Sequence, residues 1–217
     1  MKPIIRAAVD LRYLLAKGYP RAGALTFVGN HYQLDRTKRE LLNRGVYPTA
    51  IARARRGRLV NPKEIIGRPL GVDGHNVLIT LESAIQGRDL VAADDGCIRD
   101  TAGVHASYCA NEVTDQAIEF ILDFLTRWPP ARILFLLDAP MSRSGELASR
   151  ITAALSERNL TGRAKAVPVP EKDLYYFPGP VATSDSVLID RTAEPFDLAG
   201  YVIRERLPGL KILTLNQ

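Results

Sequence analysis

The chain of 217 residues is poor in several residue types. It has two cysteines, Cys97 and Cys109, too few for a disulfide scaffold. Its three histidines, His31, His75 and His105, stand far apart and form no zinc-like spacing with those cysteines. No thiol has a local base or oxyanion site beside it, so cysteine nucleophile chemistry is disfavoured. No apolar run approaches the roughly 18–20 residues that span a bilayer. Met1–Arg6 lacks the apolar core and cleavage site of a secretory leader, so a soluble cytoplasmic protein is expected. There is no G-x-x-x-x-G-K-[ST] run and no G-x-G-x-x-G pattern, and no nucleotide cofactor is expected. No internal repeat or low-complexity tract is present.

What remains is ordinary globular composition, 46% apolar and 24% charged. The charge is placed unevenly. The net charge of +5 is the sum of +11 over residues 1–69 and −6 over residues 70–217. A basic third beside an acidic remainder implies two functional parts. A basic surface attracts polyanions, of which nucleic acid is the commonest. The alternative is that the basic segment docks on the acidic part.

Residues 1–69 read as helices. Apolar residues recur near the helical period over 4–17, with Gly18 as a stop. Helices follow at 22–32, at 36–43 behind an Asp35 cap, and around 50–56. The arginines Arg12, Arg21, Arg36, Arg39 and Arg44 are candidates to grip a phosphate backbone, with Tyr13, Tyr19 and Tyr32 interleaved to stack on bases or to pack small helices.

From Leu70 short apolar runs alternate with helical patterns. Strands are expected from Leu70 and over 89–93, 132–137, 164–169, 181–183 and 211–215. Helices are expected from a Thr114 cap to Pro129, over 145–158 and over 196–206. Such alternation predicts βαβ units and a mainly parallel sheet in an α/β layer fold.

In open parallel sheets ligands bind beyond the carboxyl ends of the strands. Those ends are acidic here: Asp73, Asp94-Asp95, Asp138 and Asp185, with Asp190 shortly after. Like charges gathered at one edge are unfavourable without a cation. Mg²⁺ or Mn²⁺ suits such an oxygen-rich set and serves phosphodiester hydrolysis by activating water and stabilising the leaving oxygen. Asn76 and Ser184 either face a substrate phosphate or tie their own loops. Arg99 either meets substrate or neutralises Asp95 or Asp100 in a structural network. Tyr175-Tyr176-Phe177 reads more as a hydrophobic edge than as a base-stacking platform.

Asp73-Gly74-His75-Asn76, Phe135-Leu136-Leu137-Asp138 and Thr183-Ser184-Asp185 together resemble the NYN branch of the PIN-like nucleases. The resemblance covers about residues 70–215. It implies a three-layer α/β/α fold and Mg²⁺- or Mn²⁺-dependent ribonuclease chemistry at Asp73, Asp138 and Asp185. His75 stands where that branch has an aromatic. Its extra acidic helix element has no counterpart among Glu146, Glu157, Glu171 and Asp173 that matches, and the 94–100 insert is not a feature of the branch. The whole chain also resembles a prokaryotic family, domain of unknown function 434 with a C-terminal companion. The stretches that carry this are 10–15, 18–21, 28–34, 73–80 and 94–100.

The expectation is therefore a basic helical segment, 1–69, before an α/β domain, 70–217, acting as a metal-dependent ribonuclease on RNA. A non-catalytic RNA-binding or protein-docking module on a degenerate nuclease fold is the alternative. A small-molecule phosphoesterase is third. A homo-oligomer is left open.

Overall fold

The computed structural model describes residues 3–101 and 108–215; His105 lies outside them. Four helices come first: α1 (Pro3–Ala16), α2 (Arg21–His31), α3 (Arg36–Gly45) and α4 (Thr49–Arg56). In α1 the buried positions Ile4, Ala7, Ala8 and Leu11 follow the spacing of one helix face. Asp35 caps α3 by accepting from the Lys38 amide. Apolar side chains of α1, α2 and α3 form a core of their own, which also takes in Val46, Val91 and Leu215.

The second part holds β1 (Pro69–Asp73), α5 (Gly74–Ile85), β2 (Leu90–Ala92), β3 (Ile98–Asp100), α6 (Glu112–Arg127), β4 (Arg132–Asp138) and α7 (Ser144–Glu157). It continues with β5 (Gly162–Val167), α8 (Pro170–Leu174), β6 (Val181–Ala182), α9 (Ser186–Arg191), β7 (Pro195–Phe196), α10 (Leu198–Arg206) and β8 (Leu213–Thr214). Five strands form one sheet in the order β5-β4-β1-β6-β7, and every pairing in it is parallel. Alternation along β4 separates its two faces. Ile133, Phe135 and Leu137 enter the main core with residues of α5, α6, α7 and α10. Leu134 and Leu136 turn to a smaller cluster with Leu174, Val181 and Leu188, on α8, β6 and α9. The architecture is a parallel sheet between two helical layers, one thick and one thin, preceded by a helical segment.

Two expected strands belong elsewhere. The runs at 89–93 and 211–215 do not join the large sheet. β2 and β8 pair in parallel, and β3 adds antiparallel to β2. This small sheet separates the two cores: Leu90 and Ile98 face the main one, while Val91 and Leu215 face the helical segment. The apolar run 90–93 thus reflects burial on both faces, not membership of the parallel sheet.

Gly74 is where β1 turns into α5. A Cβ there would lie 2.5 Å from Leu137 Cδ2 and 2.9 Å from the Leu136 carbonyl oxygen. Only glycine lets the turn press against β4, and that approach puts Asp73 and His75 at the sheet edge.

Candidate functional site

β4, β1 and β6 are neighbours, so Asp138 and Asp73 end adjacent strands and Asp185 follows β6 by three residues. Two loops interlock at this edge. The Thr183 hydroxyl donates to Asp73 Oδ2 (2.8 Å) and accepts from the Asp185 amide (3.0 Å). Asn76 Oδ1 accepts from both the amide (2.8 Å) and the hydroxyl (2.9 Å) of Ser184. Asn76 and Ser184 thereby tie the first loop to the last. Asp185 Oδ1 accepts from the amides of Val187 and Leu188 and so starts α9. His75 is buried, with Nδ1 3.0 Å from Asp138 Oδ2 and 2.9 Å from the Asp138 amide nitrogen. The proton's position on the ring decides which of the two it serves. Its Nε2 is buried and has no hydrogen-bond partner among the described residues.

The electrostatics of the edge centre on Asp73. Its carboxyl is pushed up from 3.8 to about 8, first by burial and then by the charges of Asp138, Asp185 and Glu171, against the bond from Thr183. Glu171, on α8, is thus a fourth acidic group acting on this edge. No strand ends at Glu171, and it is one of four acids between Asp138 and Asp185, so nothing in the pattern distinguishes it.

A stability prediction follows. Well below pH 4, folded and unfolded chains both hold the Asp73 proton. Between about pH 4 and pH 8 the unfolded chain has released it while the folded chain keeps it, so stability falls as pH rises. Asp197, raised to about 6 by burial, adds the same trend over a lower window. Urea midpoints without divalent ions should decline from pH 5 to pH 8, and Asp73→Asn should flatten that decline. A midpoint that rises across this range in the parent protein would contradict the assignment.

The other acidic candidates lie in a different network. Asp94 takes two bonds from Arg12 (2.6 and 2.8 Å) and one from the Tyr47 amide (3.0 Å). Asp95, wholly buried, takes a bidentate pair of bonds from Arg99 (2.7 and 2.8 Å) and one from Arg55 (2.9 Å). Burial works against that charge, yet Arg99 and Arg55 hold the carboxyl below its ordinary value. Asp190 pairs with Arg55 at 2.7 Å. Arg99 also donates to the Ser184 carbonyl (2.6 Å), which joins this network to the interlocked loops. Asp94, Asp95 and Asp190 therefore neutralise arginines, and Arg99 is the structural partner of Asp95. Among the described residues, no three His, Cys, Asp or Glu side chains are grouped to hold a metal ion.

The basic segment is partly spent on the same purpose. Besides Arg12 and Arg55, Arg56 bonds the Asp94 carbonyl and Arg68 pairs with Glu194. Arg39 donates to the Leu34 carbonyl and to Asn30, and it packs where a Cβ on Gly29 would sit. Arg21 donates to the carbonyls of Asn43 and Val46. Arg36 lines a separate, open cavity of about 620 Å³ with Glu40, Arg88 and Asp89. Arg44 lies beside Ser184 and Asp185. Tyr175 and Phe177 pack against the smaller apolar cluster and Tyr176 is exposed. Cys97 is buried, Cys109 is exposed, and neither is bonded to the other. No described helix is long and apolar enough to cross a membrane.

Fold and edge define a class: a layered α/β/α domain with an acidic carboxyl edge and a helical companion ahead of it. The chain belongs to the family described as Domain of unknown function DUF5616, whose model matches residues 62–201, joined to a Protein of unknown function DUF434 segment at residues 4–58. It is 34% identical over 186 residues to the uncharacterized protein MJ0935 of Methanocaldococcus jannaschii, covering 86% of this chain and 88% of that one. No solved structure matches the chain.

Proposed function

We propose that the protein is a divalent-metal-dependent ribonuclease working at the carboxyl edge of its parallel sheet. The observation that carries this reading is the placement of Asp73 and Asp138 at the ends of adjacent strands and of Asp185 in the loop after the next strand, where Asp73 feels the other two charges. An all-carboxylate donor set fits Mg²⁺ or Mn²⁺, and a cation offsets the burial and the neighbouring negative charges that hold a proton on Asp73. Asp73, Asp138 and Asp185 would hold the ion, with Glu171 near enough to add charge. When bound, such an ion supplies Lewis-acid activation of water and of the phosphodiester. The chain's own residues do the positioning. Thr183 orients Asp73, His75 sets Asp138 through Nδ1, and the Asn76–Ser184 bonds fix the two loops against each other.

A second reading, a non-catalytic RNA-binding or docking module, draws support from the same site. Asp185 already serves as a helix cap, and no three ligands are grouped in advance among the described residues. One experiment separates them. Purified protein is incubated with single-stranded RNA and Mg²⁺ or Mn²⁺, with and without EDTA, beside a small phosphomonoester and phosphodiester. Cleavage of RNA alone that EDTA stops supports the ribonuclease. Hydrolysis of the small esters alone would replace it with a phosphoesterase. Binding without turnover would leave the docking module.

A further inference from the structure

Between the helical segment and the sheet edge lies a cavity of about 190 Å³. Arg21, Arg44 and Tyr47 wall it on one side, and Arg99, Ser184, Asp185 and Ser186 on the other. Three guanidinium groups sit on the Tyr47 ring, Arg55 at 4.3 Å, Arg21 at 4.8 Å and Arg99 at 5.2 Å from its centre. Two of these charges are answered, because Asp95 and Asp190 pair with Arg55 and Arg99. Arg21 is not. Its hydrogen bonds go to two main-chain carbonyls, and no carboxylate among the described residues pairs with it. Burial above all, and then the charges of Arg55 and Arg99, lower its pKa against the opposing influence of Tyr47 and Asp95. Arg44 likewise has no ion pair or side-chain hydrogen bond among the described residues. The cavity therefore carries two unanswered positive charges and the Ser186 hydroxyl, while the Ser184 hydroxyl is held by Asn76 and Asp185 of the acidic edge is in its wall.

We propose that this cleft is a phosphate subsite, in which Arg44 and Arg21, with Ser186, take a backbone phosphate of single-stranded RNA next to the acidic edge. This rests on the ribonuclease reading for the identity of the polyanion. The chemistry is that of guanidinium forks and a hydroxyl on phosphate oxygens. The volume lies below the range of about 300–1,000 Å³ usual for whole small-molecule ligands, so it suits a phosphate group rather than a nucleotide. The consequence is that the helical segment completes the site: half of the wall comes from α2, α3 and the turn after α3, and half from Arg99 on β3, the loop after β6 and the start of α9. It also separates the basic residues by role. Arg12, Arg39 and Arg55 are committed inside the fold, while Arg44 is free to meet a ligand.

The test is binding of a labelled ten-nucleotide single-stranded RNA by fluorescence anisotropy in EDTA, where turnover plays no part. Arg44→Ala should weaken binding about tenfold, as for loss of a hydrogen bond to a charged group. It should also lower the slope of log K against log salt by about 0.7, one phosphate contact on a single strand. Arg44 holds nothing else in place, so its thermal midpoint should match the parent's. Ser186→Ala provides a second, uncharged probe and should weaken binding by a smaller factor. Arg36→Ala, on the separate cavity, should leave affinity within twofold. Parent-like binding by both Arg44→Ala and Ser186→Ala would overturn the subsite, and so would equal losses for Arg44→Ala and Arg36→Ala, which would mean a diffuse positive field. These outcomes are independent of cleavage. A subsite that holds with no turnover in any metal removes the ribonuclease and keeps the cleft. Metal-dependent cleavage with parent-like binding by the two cleft variants does the reverse.

Discussion

Asp95→Ala should lower the stability of the protein by about 3–5 kcal/mol, the cost of leaving buried charges without their partner. Asp95 has no exposed surface, and its side chain stands between Arg99, 2% exposed, and Arg55, 5% exposed. Removing it leaves the buried Arg99 without its carboxylate and Arg55 with Asp190 alone, both guanidiniums still close to the Tyr47 ring. The effect does not stop at the pair. Arg99 also holds the Ser184 carbonyl, and Ser184 is bonded to Asn76, so the loops of the acidic edge should loosen with it. Asp190→Ala is the internal control. It removes another partner of Arg55, but Asp190 is half exposed and Asp95 remains, so a loss under about 1 kcal/mol is expected. Urea unfolding at pH 7 measures both. A change of less than 1 kcal/mol for Asp95→Ala, with an unchanged denaturant slope, would contradict the account of how the two parts are joined.

The second large effect concerns chemistry. Asp73→Asn should reduce metal-dependent RNA cleavage by about 10³-fold or more, since an ion's contribution to charge stabilisation amounts to several kcal/mol and each 1.36 kcal/mol is tenfold. The fold should survive the change. Asp73 is buried with its carboxyl pushed up to about 8, so without a cation the folded protein already holds it neutral at pH 7. Asparagine is isosteric with that form, and its side-chain oxygen still accepts from Thr183. The variant should therefore unfold at or above the parent's urea concentration while losing turnover. Asp138→Asn should lose activity too, whereas a neutral substitution at Asp190 should not, because that carboxylate serves Arg55. Full cleavage by Asp73→Asn would remove this edge from the mechanism.

Long elements were legible in the sequence. The apolar period of α1, the Asp35 cap, the apolar run of β4 and the helical pattern of α7 each match the structure closely. Most short ones were not. The strand expected at 181–183 is β6, but β7 has two residues and α8 five, too few for any period to register. α5 begins immediately after Asp73, so its apolar residues continue the strand's run and hide the switch. The sequence pattern points to Thr114 as the cap of α6. The cap is Asn111, and Thr114 stands at the third helical position, where its hydroxyl takes the Asn111 amide in a capping box. The acids at the ends of β1 and β4 and in the loop after β6 were legible because strand ends are readable. The duties of Asp94 and Asp95 were open because their partners come from afar. Arg12 lies 82 residues from Asp94 and Arg55 lies 40 from Asp95. The charge asymmetry had two explanations, and the structure uses part of it internally: Arg12, Arg55 and Arg68 of the basic segment pair with carboxylates of the acidic part.

The central claim is that Asp73, Asp138 and Asp185 form one divalent-cation site. Calorimetric titration of Mn²⁺ and Mg²⁺ into parent and Asp73→Asn protein at pH 7 tests it most directly. The account predicts saturable binding in the parent, accompanied by release of about one proton because Asp73 must ionise, and loss of that binding in the variant. Absence of binding at millimolar metal, or equal binding by both proteins, would contradict it.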